Sequence, residues 1–259
     1  MMLSTGILIG LTLAFDAHAS ATRATQRRQP NAVHRMDENI FEQRAPFCTT
    51  QNISTMNVNR EGGCQGCGLW FTEVCRCIKS RKCTATGTIK PDASPVWLLM
   101  EPTSADQDTL ISTNELLPGI VETSRHNSAQ HDLGWVFAQK HYDSSSQALA
   151  INPYRVRTQE QVHIHVCKKR NATTVDMLSK AKIPSSGHLT KMPQDSNLYC
   201  LALGNGAPLT SFATTLGAFF DERPQDCWAR IGAGIIRDDN NNTWGCATNN
   251  TKGPLEYFC

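Results

Sequence analysis

After Ala19 the chain has no run of apolar residues approaching the roughly 18 that a membrane-spanning helix needs, so no transmembrane anchor is expected in the mature protein. A Gly-rich phosphate loop is also missing, and strands are mixed with helices without the regular alternation of βαβ units. Both absences argue against a parallel sheet cradling a nucleotide. No internal repeat is present. Charge of one sign is scarce as well: Lys and Arg number 25 against 23 Asp and Glu, a formal net charge of +2, too small to imply a nucleic-acid partner.

Cysteine, by contrast, is plentiful, with 11 in the 259 residues, all after Ala19. Residues 1–19 read as a signal peptide, with a largely apolar run from Gly6 to Phe15 and a cleavage pattern at Ala17-His18-Ala19, although no Lys or Arg precedes the run. Its removal takes away Asp16 and moves the formal charge from +2 to +3. Residues 20–46, rich in Arg, Gln, Thr and Ala, read as a pro-region or flexible linker. Residues 47–87 are a cysteine-rich segment that includes Cys48, Cys64, Cys67, Cys75, Cys77 and Cys83. In a reducing compartment Cys64, Cys67, Cys75 and Cys77 would suit zinc. Behind a signal peptide, disulfides are expected, at least four in the whole chain, with this cluster mostly paired within itself. The odd total leaves one thiol free or joined to another chain. Asn52-Ile53-Ser54, Asn171-Ala172-Thr173, Asn241-Asn242-Thr243 and Asn249-Asn250-Thr251 are glycosylation sequons, in keeping with a secreted or secretory-pathway protein.

Residues 88–259 read as one α+β domain, an antiparallel sheet with flanking helices. Val96 to Met100 reads as a buried strand ending near Pro102. Ser112 to Glu115 has the spacing of a capping box, opening a short helix that Pro118-Gly119 interrupts. Ser128 to Tyr142, with Leu133, Trp135, Val136 and Phe137, reads as an amphipathic helix, and Gln147 to Asn152 as the next strand. A helix capped by Thr173 or Thr174 runs to Lys182, a strand spans Tyr199 to Leu203, and a helix spans Pro208 to Phe220. Two last strands, Ala229 to Arg237 and Thr243 to Thr248, flank the turn Asp238 to Asn242, read as solvated rather than metal-binding.

The most informative stretch is Gln161-Val162-His163-Ile164-His165-Val166-Cys167. Apolar Val162, Ile164 and Val166 alternate with the polar positions, the pattern of a half-buried strand, so both imidazoles share one face about 6 to 7 Å apart along the strand. Two satisfied polar side chains would explain the pair without any chemistry. A zinc or copper pair would need further ligands, and no Asp or Glu follows within several residues, whereas Lys168-Lys169-Arg170 would repel a cation. Phosphoryl chemistry fits the cations, with His as nucleophile or general acid and fixed positive charge on the developing oxyanions.

Leu149-Ala150-Ile151-Asn152, then Arg157-Thr158-Gln159, then Val162-His163-Ile164-His165, in that order and spacing, resemble the CDP-diacylglycerol pyrophosphatase branch of the histidine triad superfamily, with the strand Val96 to Met100 and the final hairpin also similar. The chain departs from that family at Gln161, where the triad's first His would stand, and in lacking the membrane anchor of bacterial members. The resemblance implies a histidine triad-like sheet and a secreted hydrolase cleaving a phosphoanhydride of a nucleotide-lipid or related nucleotide diphosphate, without a metal or other cofactor. In that scheme His163 is the nucleophile, forming a phosphohistidine. His165 and Lys168 hold phosphate oxygens, while Asn152, Arg157, Thr158, Gln159 and Gln161 line the pocket. Gln161→His, restoring the triad pattern, is then expected to leave activity similar or raise it. Two other functions compete with this one: a phosphodiesterase or lyase on an unrelated phosphorylated or natural-product substrate, and a non-enzymatic, cysteine-stapled binding protein.

Overall fold

A computed structural model of the chain describes residues 83–86, 96–102, 108–115, 117, 119–125, 127–154, 156, 161–250 and 253–259. The proposed signal peptide, the pro-region and all of the cysteine-rich segment before Cys83 lie outside them. Nine short strands can be named in chain order: β1 Thr84–Ala85, β2 Trp97–Met100, β3 Thr109–Thr113, β4 Leu149–Ile151, β5 His163–Val166, β6 Thr190–Lys191, β7 Leu198–Leu203, β8 Ile231–Arg237 and β9 Thr243–Asn249. They form one sheet in the order β1-β2-β3-β5-β4-β8-β9-β7-β6, and every pairing is antiparallel. The sheet thus begins at Thr84, ahead of the boundary expected at residue 88. The helices are α1 Ile120–Arg125, α2 Ser128–Lys140, α3 Ala172–Ser179, α4 Phe212–Glu222 and α5 Leu255–Phe258.

Because side chains alternate across a strand, the register decides which residues meet which layer. On one face Ile111, Ile164, Val166, Leu149, Ile151, Ile235 and Ala233 join Trp135 and Phe137 of α2, Val121 of α1, and Phe212, Leu216, Phe219 and Phe220 of α4 in the main core. On the other face Ala150, Cys200, Cys246, Ile236 and Trp244 pack with Val175 and Leu178 of α3 and Phe258 of α5. Leu98 and Met100, with the half-buried Leu110, form a separate apolar group at the β2–β3 side. His163 and His165 stand on this second face, opposite Ser112 and Leu110 of β3, with Ala150 of β4 across from His165.

Polar ties fix the helices. His131 on α2 is 1% exposed, its Nδ1 lies 2.7 Å from the Thr123 carbonyl, and its Nε2 is 3.1 Å from Glu115 Oε2. Asp132 accepts from the Thr214 backbone N–H at 3.0 Å and from its hydroxyl at 2.7 Å, so a buried carboxylate of α2 supplies the N-terminal cap of α4. Gly134 lets α2 close on the sheet, since a Cβ there would sit 2.3 Å from the Trp97 ring.

Several expectations are corrected. Ser112 to Glu115 opens no helix: Ser112 and Thr113 end β3, the Ser112 hydroxyl donates to the Val162 carbonyl at 2.6 Å, and α1 starts only after Pro118-Gly119. Leu133 is 58% exposed, so the buried stripe of α2 runs through Trp135, Phe137 and Ala138. Helix α3 is capped by Asn171, whose Oδ1 accepts from the Thr174 N–H at 3.1 Å, and it stops at Ser179 rather than Lys182. Asp238 is buried, not solvated: it accepts from the backbone N–H groups of Asn240 and Asn242, the Asn242 amide and the Trp244 indole, all at 2.8 to 2.9 Å. A carboxylate surrounded by four donors shapes the turn with no need of an ion.

All six described cysteines are oxidised. Cys167 pairs with Cys259 and Cys200 with Cys246, and Cys83 and Cys227 are disulfide-bonded too. Among the described residues no helix is long and apolar enough to cross a membrane.

Candidate active site

Strand β5 is four residues long, and its period-two pattern sends Ile164 and Val166 into the main core while turning His163 and His165 together to the other face. Their rings are closer than the spacing along the strand, with centroids 4.9 Å apart and planes inclined at 62°. His163 is only 6% exposed. Its Nδ1 lies 2.7 Å from the Gln161 carbonyl; a carbonyl can only accept, so Nδ1 carries the proton. In the neutral ring the lone pair is therefore on Nε2, the nitrogen able to attack an electrophile.

His165 is held at both nitrogens. Its Nδ1 lies 3.2 Å from Asp108 Oδ2, and its Nε2 lies 3.5 Å from the Asn152 amide nitrogen. The Asp108 and His165 side chains are 25% and 15% exposed, so the pair is largely withdrawn from water. Asn152 follows directly on β4, two residues beyond the Ala150 that faces His165, and so reaches the same face. Its Oδ1 is buried and has no hydrogen-bond partner.

The wall beside Asn152 comes from the chain's C-terminal segment. Gly232 and Gly234 of β8 leave room for it: a Cβ at either would meet Pro254 at 2.5 Å or the Phe258 ring at 2.3 Å. Gly253 lies against Asn152 and Val156, and the Cys167–Cys259 bond fastens the end of this segment two residues beyond His165.

Gln161 sits differently from what its place in the pattern suggests. It is 2% exposed, and its amide nitrogen donates to the Thr113 carbonyl at 2.9 Å and the Glu115 carbonyl at 2.8 Å, which ties the end of β3 to the start of β5. That is a framework role for the amide nitrogen, while the side-chain oxygen Oε1 is buried with no hydrogen-bond partner among the described residues. Lys168 and Lys169 are exposed, while Arg170 is drawn to the β8–β9 hairpin, donating to the Arg237 carbonyl at 2.7 Å and Asp239 at 2.8 Å. The third cation of the run therefore has an acidic partner of its own. Arg157, Thr158 and Gln159 lie outside the described residues, as does Asn52. Of the other sequon asparagines, Asn171 caps α3 and donates to the Glu256 carbonyl at 3.0 Å, Asn249 donates to Asp226 at 2.9 Å, and Asn241 is exposed in the hairpin turn at φ 62°.

The structure thus brings His163, His165 and Asn152 together and adds Asp108, which the sequence reading lacked. A carboxylate missing from the neighbourhood of the histidines in sequence arrives from 57 residues upstream, one residue ahead of β3. Its signal was an acidic residue beside a β-branched run that pairs with the His strand, and reading Ser112 to Glu115 as a helix cap hid that strand. Among the described residues no three His, Cys, Asp or Glu side chains are grouped as a metal site would require. No protein-family model matches the chain, and no curated protein matches it. The resemblance to the CDP-diacylglycerol pyrophosphatase branch rests on the residues quoted above.

Proposed function

We propose that the chain is a secreted, histidine triad-like hydrolase that cleaves a phosphoanhydride, with a nucleotide-lipid such as a CDP-lipid or a related nucleotide diphosphate as substrate. The observation that carries this reading is the Nδ1–H of His163 donating to its own strand's carbonyl, which leaves the Nε2 lone pair as the nucleophile. In the first step Nε2 attacks the nucleotide-bearing phosphorus. A phosphorus–nitrogen bond forms, the anhydride phosphorus–oxygen bond breaks, and the second phosphate departs. In the next step water attacks the same phosphorus and His163 leaves as a neutral imidazole, its Nδ1 proton having stayed in place. Asn152 stands where its amide can hold a phosphate oxygen, and Lys168 with Lys169 supplies exposed positive charge next to the strand.

The test is a panel of phosphoanhydrides and phosphodiesters incubated with the purified protein in the presence of EDTA. A phosphoanhydride is expected to be cleaved, with an acid-labile phosphoryl group trapped on His163. His163→Ala should lose the adduct and nearly all turnover, and His165→Ala should lose on the order of 10² to 10⁴ in rate. Near-parental turnover by His163→Ala would refute the nucleophile. Activity lost to EDTA and restored by zinc would instead assign the two histidines to a metal.

A further inference from the structure

We infer that Asp108 and His165 form a proton-carrying dyad whose task is the second half of the reaction: His165 is the base that activates the water hydrolysing the phosphohistidine, and Asp108 is its positioning residue. The inference rests on the reading of His163 as nucleophile and adds a role for a carboxylate and a division of labour between two steps.

Three observations lead to it. The first is the geometry of His165. With Asp108 Oδ2 at 3.2 Å from Nδ1, the proton of the neutral ring lies on Nδ1, since a carboxylate only accepts. The Nε2 lone pair is left as the base, and a carboxylate behind Nδ1 stabilises the imidazolium that forms when Nε2 takes a proton. The second is the proximity of the rings, with centroids 4.9 Å apart on the same strand face, so a phosphoryl group on His163 lies beside His165. The third is enclosure. His163 is 6% exposed, so a phosphohistidine there is shielded from bulk water and depends on a water molecule held and deprotonated within the site.

The two steps make unequal demands on a proton carrier. A departing phosphate is a weak base and leaves without much help, whereas water must give up a proton as it attacks. Neutral His165 takes a proton on Nε2 from the attacking water as the phosphorus–nitrogen bond to His163 breaks, and it passes that proton to the released phosphate or to solvent, so the cycle closes with no other reagent. Asn152 can face either state of His165. Its amide nitrogen lies 3.5 Å from Nε2 and can donate to the lone pair, and a half-turn of the amide would present the buried, unpartnered Oδ1 to an Nε2–H.

Rapid mixing with a phosphoanhydride that the parent protein cleaves separates the steps, with adduct on His163 and released product both followed in time. Asp108→Asn is expected to form the adduct within a few-fold of the parental rate and to clear it on the order of 10² times more slowly, so that the adduct accumulates. Asp108→Glu should restore part of the clearance, which a merely structural loss would not permit. Adduct forming and clearing at parental rates in Asp108→Asn overturns the dyad while leaving His163 as nucleophile. An adduct seen in the parent but not in Asp108→Asn moves Asp108 to the first step and overturns the assignment. No adduct in any protein, the parent included, removes the reading on which the inference rests. Independently of substrate, imidazole nitrogen NMR of the full chain should find neutral His165 protonated on Nδ1, and protonation on Nε2 instead would refute the arrangement.

Discussion

A glutamine carries two N–H donors on one nitrogen, and Gln161 spends them on two backbone carbonyls, those of Thr113 and Glu115. A neutral imidazole has one N–H to give. Gln161→His, which from the motif alone would be expected to leave activity similar or raise it, should therefore leave one buried carbonyl without its donor and cost about 1 to 3 kcal/mol. Equilibrium denaturation of the variant against the parent measures this, and a variant as stable as the parent and more active would reinstate the triad reading of that position. The same physics explains which site residues could be read in advance. His163 and His165 declare themselves through a strict period of two, and Asn152 lies at the end of a short apolar strand beside them. Asp108 does not, because what makes it part of the site is a strand pairing across 57 residues, and no local pattern encodes a partner at that distance. Gln161 was placed by analogy with a histidine, although its own chemistry, a pair of donors on one atom, suits it to bridging two carbonyls.

At the scale of elements, long periodic segments were legible and short ones were not. The helix containing Phe212, Leu216, Phe219 and Phe220 and the β8–β9 hairpin carry enough repeats to be seen, and their expected apolar residues are buried. β6, with two residues, and α5, with four, are too brief to show a period; such a helix is unstable alone and exists through its contacts. For α5 these are Phe258 against Gly234, the Asn171 backbone N–H donating to the Phe258 carbonyl at 2.9 Å, and the Tyr257 hydroxyl donating to Asp195 Oδ2 at 2.9 Å. Burial, together with the neighbouring Asp195 carboxylate, pushes the Tyr257 phenol up to about 12 from its ordinary value of 10.0. A raised value means that the folded state keeps the proton longer than the unfolded chain. The stabilisation is thus complete below the unfolded value near pH 10 and is lost as pH rises towards 12. Tyr257→Phe should accordingly be less stable than the parent at neutral pH and should show a shallower loss of stability across that alkaline window. Stability curves for the two proteins that stay parallel from pH 9 to pH 12 would mean that Tyr257 is not the group responsible.

At the scale of the whole molecule, the antiparallel sheet and its flanking helices were legible from composition and strand patterns. The sharing of its two faces was not, because the faces are set by register. The covalent connections add a property that neither pattern nor register describes. Cys167–Cys259 closes a loop with a sequence separation of 92, and Cys200–Cys246, with a separation of 46, closes a second loop inside it. In the chain-entropy account an outer ring of this size is worth on the order of 4 to 5 kcal/mol. Seen as a graph, the stretch from Cys167 to Cys259 is a ring, and the stretch from Cys200 to Cys246 closes a second ring inside it. A single backbone cut between Cys167 and Cys259, for instance after the exposed Lys182, therefore divides no molecule in two. Molecules cut once by trypsin between Cys167 and Cys259, without reductant, should show the intact mass plus one water, and their two pieces should separate only once a thiol is added. Separation of the two pieces of such a once-cut molecule before reduction would show that the outer ring is open in the native protein.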